Sequence, residues 1–270
     1  RSPRALRDAL LANGAAAVKT IENNSHVKYR IRPFHPDYLS ELEGSTLCGR
    51  ALEPLPFDGR LLGDDFDLVR PPIAEFMVLK GMMVDRDDIP HMLGWSRSLE
   101  STLYVMKVVA RHLMDRLRHP RGTRLLMGNA LIGRLLLSLK ERGVTLLTEA
   151  TATALERGAS GVEAITIEQR GVNKRIAVRG GVVLASGGFN RHPQRRAQLL
   201  PGADLQWCPG APGHTGTAHD LAESVGAVYG KGAMSNAFLQ ICTATLPILG
   251  GVALVIRGAG YSLDWATDRG

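Results

Sequence analysis

Aromatic side chains are scarce: Phe, Trp and Tyr make up 5% of 270 residues. That leaves little stacking surface for single-stranded nucleic acid. The net charge of +7 still raises the question of an anionic partner. The basic residues are spread along the chain, with one denser patch at Arg111, Arg116, Arg118, Arg121 and Arg124. A basic nucleic-acid binder is therefore an alternative, and the expectation is no nucleic acid. Cysteine is scarcer still. Cys48, Cys208 and Cys242 stand alone, without a CxxC pair or histidines at ligand spacing. This excludes a disulfide scaffold and a zinc site, so no metal is expected. It suits a reducing compartment, read here as cytoplasmic. Long apolar runs are missing too. Leu246 to Ile256 is interrupted by Pro247, Gly250 and Gly251 and falls short of the ~20 residues a membrane helix needs. No integral membrane segment is expected.

Three motifs are also absent. There is no GxSxG to make His219–Asp220 part of a hydrolase triad. There is no GxGxxG where a dinucleotide fingerprint belongs. The near miss, Gly258-x-Gly260 after a strand-like run, has Leu263 in the third place and too little chain after it for a βαβ unit. No initiator Met is present, and RSPRALRD opens directly in a helical pattern, which reads as a fragment.

What is present suits a globular protein with a core: 44% hydrophobic and 22% charged residues. The length fits one large domain or two smaller ones. Residues 3–20 predict a helix. Residues 22–97, rich in proline, predict short strands and loops. Leu99, Leu103, Met106, Ala110, Leu113 and Leu117 recur at three- and four-residue spacing, which predicts a long amphipathic helix over 97–118. A second helix is predicted over 128–142, with Gly143 as its cap. The period then changes, and Val144–Leu147, Thr151–Leu155, Val162–Ile167, Arg175–Val178 and Val182–Ala185 read as strands. Gly158, Gly161 and Gly171 mark the turns. Short helices follow near 192–199 and 217–225, and the glycine-rich tail from 227 has no clear period. The order describes α/β architecture with an antiparallel element inserted.

The run VVLASGGF at 182–189 ends a buried-looking strand in side chains too small to pack. Bare main chain there admits close approach of a phosphate or ribose, and ligands of open α/β sheets sit beyond strand carboxyl ends. An ordinary glycine turn is the simpler reading. A second cluster, GHTGTAHDLAESVGA at 213–227, places glycine before a helix that Thr215 or Thr217 can cap. Such an N-terminus suits an electron-rich group, although a capped surface helix is equally compatible.

Four stretches together carry a resemblance: EGSTLCGRALEPLPFDGRLLG at 43–63, RGTRLLMGNALIGRLLLSLKERGVTLLTEATATAL at 121–155, GVVLASGGF at 181–189 and GHTGTAHDLAESVGA at 213–227. With SNAF at 235–238, the chain resembles FAD-dependent dehydrogenases of the fumarate reductase and 3-ketosteroid-Δ1-dehydrogenase type. The resemblance implies part of a glutathione-reductase-type FAD-binding domain over 1–205, with an inserted antiparallel meander. It implies the start of an α+β substrate domain over 206–270. The implied FAD neighbours are Ala152, Ala185, Ser186, Gly187, Gly188, His214, Thr215, Gly216 and Thr217. Thr217 stands where the family carries an acidic residue. The family's FAD fingerprint, its ribose-holding acid and its GxRFxNE segment are not found, and no catalytic residue is assigned. The implied substrate is a small molecule, a steroid-like ketone or enone. The expectation is an FAD-dependent CH–CH dehydrogenase of which this chain alone is inactive and binds FAD weakly or not at all. A non-catalytic remnant is the alternative.

Overall fold

The computed structural model describes residues 4–37, 39–72, 74–199, 208, 211–228, 241–248 and 251–258. SNAF at 235–238 and Gly260 lie outside the described residues. The chain divides into two compact units, Ser2–Leu146 and Leu147–Gly270.

In the first unit, helix α1 spans Arg4–Asn24 and buries none of its side chains. Its alanines and straight-chain residues carry the helix by propensity. The proline-rich stretch behind it folds as short elements. Strand β1 (Tyr29–Ile31) pairs antiparallel with β2 (Leu52–Pro54). Strand β3 (Phe57–Asp58) leads into a 3₁₀ segment, Gly59–Leu68. Strand β4 (Met77–Val78) pairs with β5 (Met82–Met83), and the short helix α2 covers Asp88–Leu93. Helix α3 spans Leu99–Asp115, capped by the Ser98 hydroxyl accepting from Ser101 N. Strand β6 (Arg124–Leu125) returns to pair with β3, and helix α4 runs Met127–Glu141. The core is built where these meet, from Phe57, Leu62, Phe66, Val69, Met83, Leu125, Leu126, Ala130 and Leu136. Gly133 lets α4 reach β3: a Cβ there would lie 2.7 Å from the Phe57 ring.

Helix α3 sits the opposite way from its apolar pattern. Leu99, Leu103, Met106 and Leu113 are exposed, at 77%, 57%, 62% and 60%. Its inward face carries polar groups beside the half-buried Val105, Val108 and Val109. Asp115 is buried and accepts from Thr123 N and Oγ1, both at 2.8 Å. His112 Nε2 meets Leu79 O at 3.0 Å. The Tyr104 hydroxyl donates to Asp88 at 2.6 Å, and the fully buried Asp88 also accepts from Arg124 Nη1 and Asp85 N, each at 2.9 Å. A buried carboxylate left unpaired costs several kcal/mol. These partners therefore decide which face of α3 turns inward.

The basic patch does not form a surface. Arg121 is buried, donates to Val69 O and stacks over Phe66 with 4.3 Å to the ring centroid. Arg111 and Arg124 pair with Asp58 and Asp88. Arg116 and Arg118 alone of the five are exposed. Intramolecular partners thus engage Arg111, Arg121 and Arg124.

In the second unit, β7 (Ala150–Arg157), β8 (Val162–Gln169) and β9 (Val172–Ala177) form an antiparallel meander in chain order. The glycine turns made this legible. Two expected strands are corrected: Val144–Leu147 and Val182–Ala185 are irregular and join none of the described sheets. A strand exists only through its ladder, and neither segment pairs with any described strand; Val183 is 90% exposed. Helices α5 (Pro193–Leu199) and α6 (Thr217–Ser224) follow. Strands β10 (Ile241–Ile248) and β11 (Gly251–Gly258) form a hairpin. The tail had given no periodic signal because its apolar run does not alternate.

Gln in place of Leu103 or Met106 is expected to change stability by less than about 0.5 kcal/mol. Leu126→Ala in the core should cost about 2–5 kcal/mol, read by urea unfolding. Burial, then the Asp88 carboxylate, push the Tyr104 phenol up to about 12 from 10.0. Between those values the folded chain keeps a proton the unfolded chain has lost, so stability falls as pH rises across that window. Tyr104→Phe is expected to cost about 1–2 kcal/mol at neutral pH and to remove that alkaline loss, followed by circular dichroism.

Candidate functional site

The two glycine clusters are far apart in sequence and meet in space. Arg191 N donates to His214 O at 2.8 Å, and Gly216 N donates to Gly188 O at 3.2 Å. These two main-chain bonds join the bend at 185–192 to the turn before α6. His214 N to Ala211 O (3.0 Å) and Thr215 N to Gly213 O (2.8 Å) tighten that turn. Side chains complete the joint. Phe189 is buried and meets His219 edge to face, with ring centroids 6.0 Å apart. Arg195 of α5 reaches Asp220 and Glu223 on α6. Hydrogen bonds from Arg195 hold both carboxyls below their usual range. Asp220 is thus committed to an arginine, which leaves the His219–Asp220 pair without a relay role.

Helix α6 begins at Gly216, which takes the N-cap in a left-handed conformation (φ 77°). The expected cap by Thr215 or Thr217 is corrected. No side chain caps the helix, and the two hydroxyls lie 3.5 Å from each other. Only glycine adopts this φ without strain, and a Cβ at 216 would sit 3.1 Å from the His192 ring. The sequence motif therefore places its threonines beside the helix start, where no side chain caps the amide N–H groups. Partial positive charge concentrates at such an end.

Of the expected residues, Ala185, Ser186 and Gly187 are exposed and Gly188 is half-buried. Smallness serves two purposes. A Cβ at Gly187 would fall 2.4 Å from the His214 ring, so this position is small for internal packing. A Cβ at Gly188 would meet nothing within 4 Å. His214 Nδ1 is buried with no hydrogen-bond partner. Gly188 thus has open space at its Cβ position, helix α6 starts without a side-chain cap, and a ring nitrogen of His214 is unpaired. Ala152 stands apart. It pairs with Ile167 beside a bulge in β7, and no described hydrogen bond joins it to the glycine clusters. At the far end of β7, Arg157 Nη1 donates at 2.9 Å to O of Val225, the residue after α6. Five residues of strand, about 17 Å, separate that contact from Ala152. Sequence reasoning missed His192, which packs on Gly216, and Arg195; the Asp220/Glu223 pair at i, i+3 was the available signal. Among the described residues no group of His, Cys, Asp and Glu could hold a metal, and no helix is long and apolar enough to cross a membrane.

These segments lie in a chain of mixed helix and sheet content. The chain belongs to the FAD binding domain family, whose profile matches residues 1–263. It is 33% identical over 232 residues to the 3-oxosteroid 1-dehydrogenase of Mycobacterium tuberculosis (strain ATCC 25618 / H37Rv), covering 82% of this chain and 39% of that protein. It is 29% identical over 213 residues to the 4-oxocyclohex-2-ene-1-carboxylate 5-dehydrogenase of Sinomonas cyclohexanicum, covering 78% and 36%. The 3-ketosteroid Δ1-dehydrogenase of Sterolibacterium denitrificans, solved with 1,4-androstadiene-3,17-dione, superposes with a TM-score of 0.74 at 28% identity, covering 92% of this chain and 44% of that one. The chain thus spans about two-fifths of the length of these relatives.

Gly216→Ala forces an L side chain into left-handed backbone and against His192. It is expected to lower stability by about 1–2 kcal/mol, measured by thermal unfolding.

Proposed function

We propose that this chain is part of an FAD-dependent dehydrogenase that desaturates a carbon–carbon bond next to a ketone, with a 3-ketosteroid or a similar cyclic ketone as substrate. The single observation that carries the reading is the meeting of residues 185–188 with 214–217, in a chain whose relatives act on such ketones. FAD, when bound, supplies the hydride acceptor. The residues of this chain do the holding. Gly188 offers main chain that a ligand can approach closely. The start of α6, with Thr215 and Thr217 beside it, offers amide and hydroxyl groups to an electron-rich edge. Ala185, Ser186 and Gly187 continue that surface, and Ala152 is assigned to the adenine end. Thr217 has no charge, so it offers a hydrogen bond where the family's acid offers a carboxylate.

The finer fold follows from the same reading. Residues 1–205 are assigned to part of a glutathione-reductase-type FAD-binding domain. The segment 206–270 then opens a substrate domain. The free thiols of Cys48 and Cys208 suit a reducing compartment.

In a fluorescence titration, the purified chain is expected to bind FAD weakly and reversibly, lose it on gel filtration, and not turn over a 3-ketosteroid with an artificial acceptor. Flavin absorbance retained through purification would refute the fragment reading. No binding at millimolar FAD would refute the cofactor reading.

A further inference from the structure

We propose that His214 is a positioning residue. Its imidazole fills the notch left by the missing Cβ of Gly187 and so fixes the 185–188 main chain, leaving open space at Gly188 for the cofactor. The inference rests on the functional reading above and deepens it. A Cβ at Gly187 would lie 2.4, 2.7 and 3.2 Å from Cδ2, Nε2 and Cγ of His214, far inside contact distance. The ring has no room to retreat by moving its own backbone. His214 N is tied to Ala211 O, and His214 O accepts from Arg191 N. Gly187 for its part has φ 90°, which a glycine alone holds without strain. One residue on, the situation reverses. Gly188 has open space where its Cβ would be, and its carbonyl is fixed by Gly216 N. The two glycines of one motif therefore do different things: one receives a histidine, the other is left bare.

The motif's partner segment supplies the histidine, so each cluster shapes the other. The ring of His214 is also placed so that Nδ1 is buried and unpaired. An imidazole nitrogen can donate or accept there, depending on tautomer. The shape of the ring, rather than this nitrogen, is what the notch selects.

The test is a double-substitution cycle read by melting temperature and by FAD fluorescence titration on the 270-residue chain. Gly187→Ala is expected to lower the melting temperature by roughly 5 °C. Adding His214→Ala to it should recover about half of that loss, because the clash goes and the backbone strain stays. Gly188→Ala should leave melting unchanged and weaken FAD binding about tenfold. His214→Phe keeps a ring in the notch and should hold both readouts near the parent. His214→Ala empties the notch and should weaken FAD binding about tenfold. Melting of Gly187→Ala like the parent, or no recovery in the double variant, overturns the notch. Loss of FAD binding in His214→Phe equal to that in His214→Ala overturns shape as its role. A parent chain that binds no FAD overturns the functional reading, and the role of His214 toward a cofactor with it; melting then decides the packing alone.

Discussion

Two main-chain hydrogen bonds, from Arg191 N to His214 O and from Gly216 N to Gly188 O, make one site out of two distant segments. The other features of the site depend on them. They bring Gly187 under the His214 ring, seat Phe189 against Gly216 and set the start of α6 beside open backbone. Side chains longer than glycine at 187 or 216 would occupy the space these bonds close. The Arg195 bridge to Asp220 and Glu223 then ties α5 to α6, so the joint is held on both of its flanks.

A different rule governs residues 2–146. There the buried carboxylates of Asp88 and Asp115 dictate orientation. Each needs donors, and the donors available are Tyr104, Arg124, Thr123 and main-chain N–H groups. Satisfying them turns the polar side of α3 inward and leaves its leucines in solvent. The same pairing consumes Arg111 and Arg124, and Arg121 is taken by Val69 O and Phe66. Three of the five arginines of the basic patch therefore serve internal pairing.

Much of the local structure was legible. The spacing of Leu99 through Leu113 marked α3, Gly143 followed α4, and the glycines at 158, 161 and 171 marked the meander. The glycine clusters at 185–188 and 213–217 stood out as candidates because small residues leave main chain open to close approach. Less legible were features that need a partner from elsewhere. Val144–Leu147 and Val182–Ala185 have strand composition, yet a strand is defined by its neighbour. The threonines at 215 and 217 had capping composition, yet the cap position went to Gly216.

By itself, the sequence determined periodicity, turn positions, the scarcity of thiols and the membership in an FAD binding domain family, since each rests on residue type and spacing along the chain. Tertiary structure alone decided which face of α3 is buried, which arginines are spoken for, and which of two adjacent glycines is filled. Those outcomes turn on whether a polar or backbone group finds its partner across tens of residues, and composition carries no record of that distance.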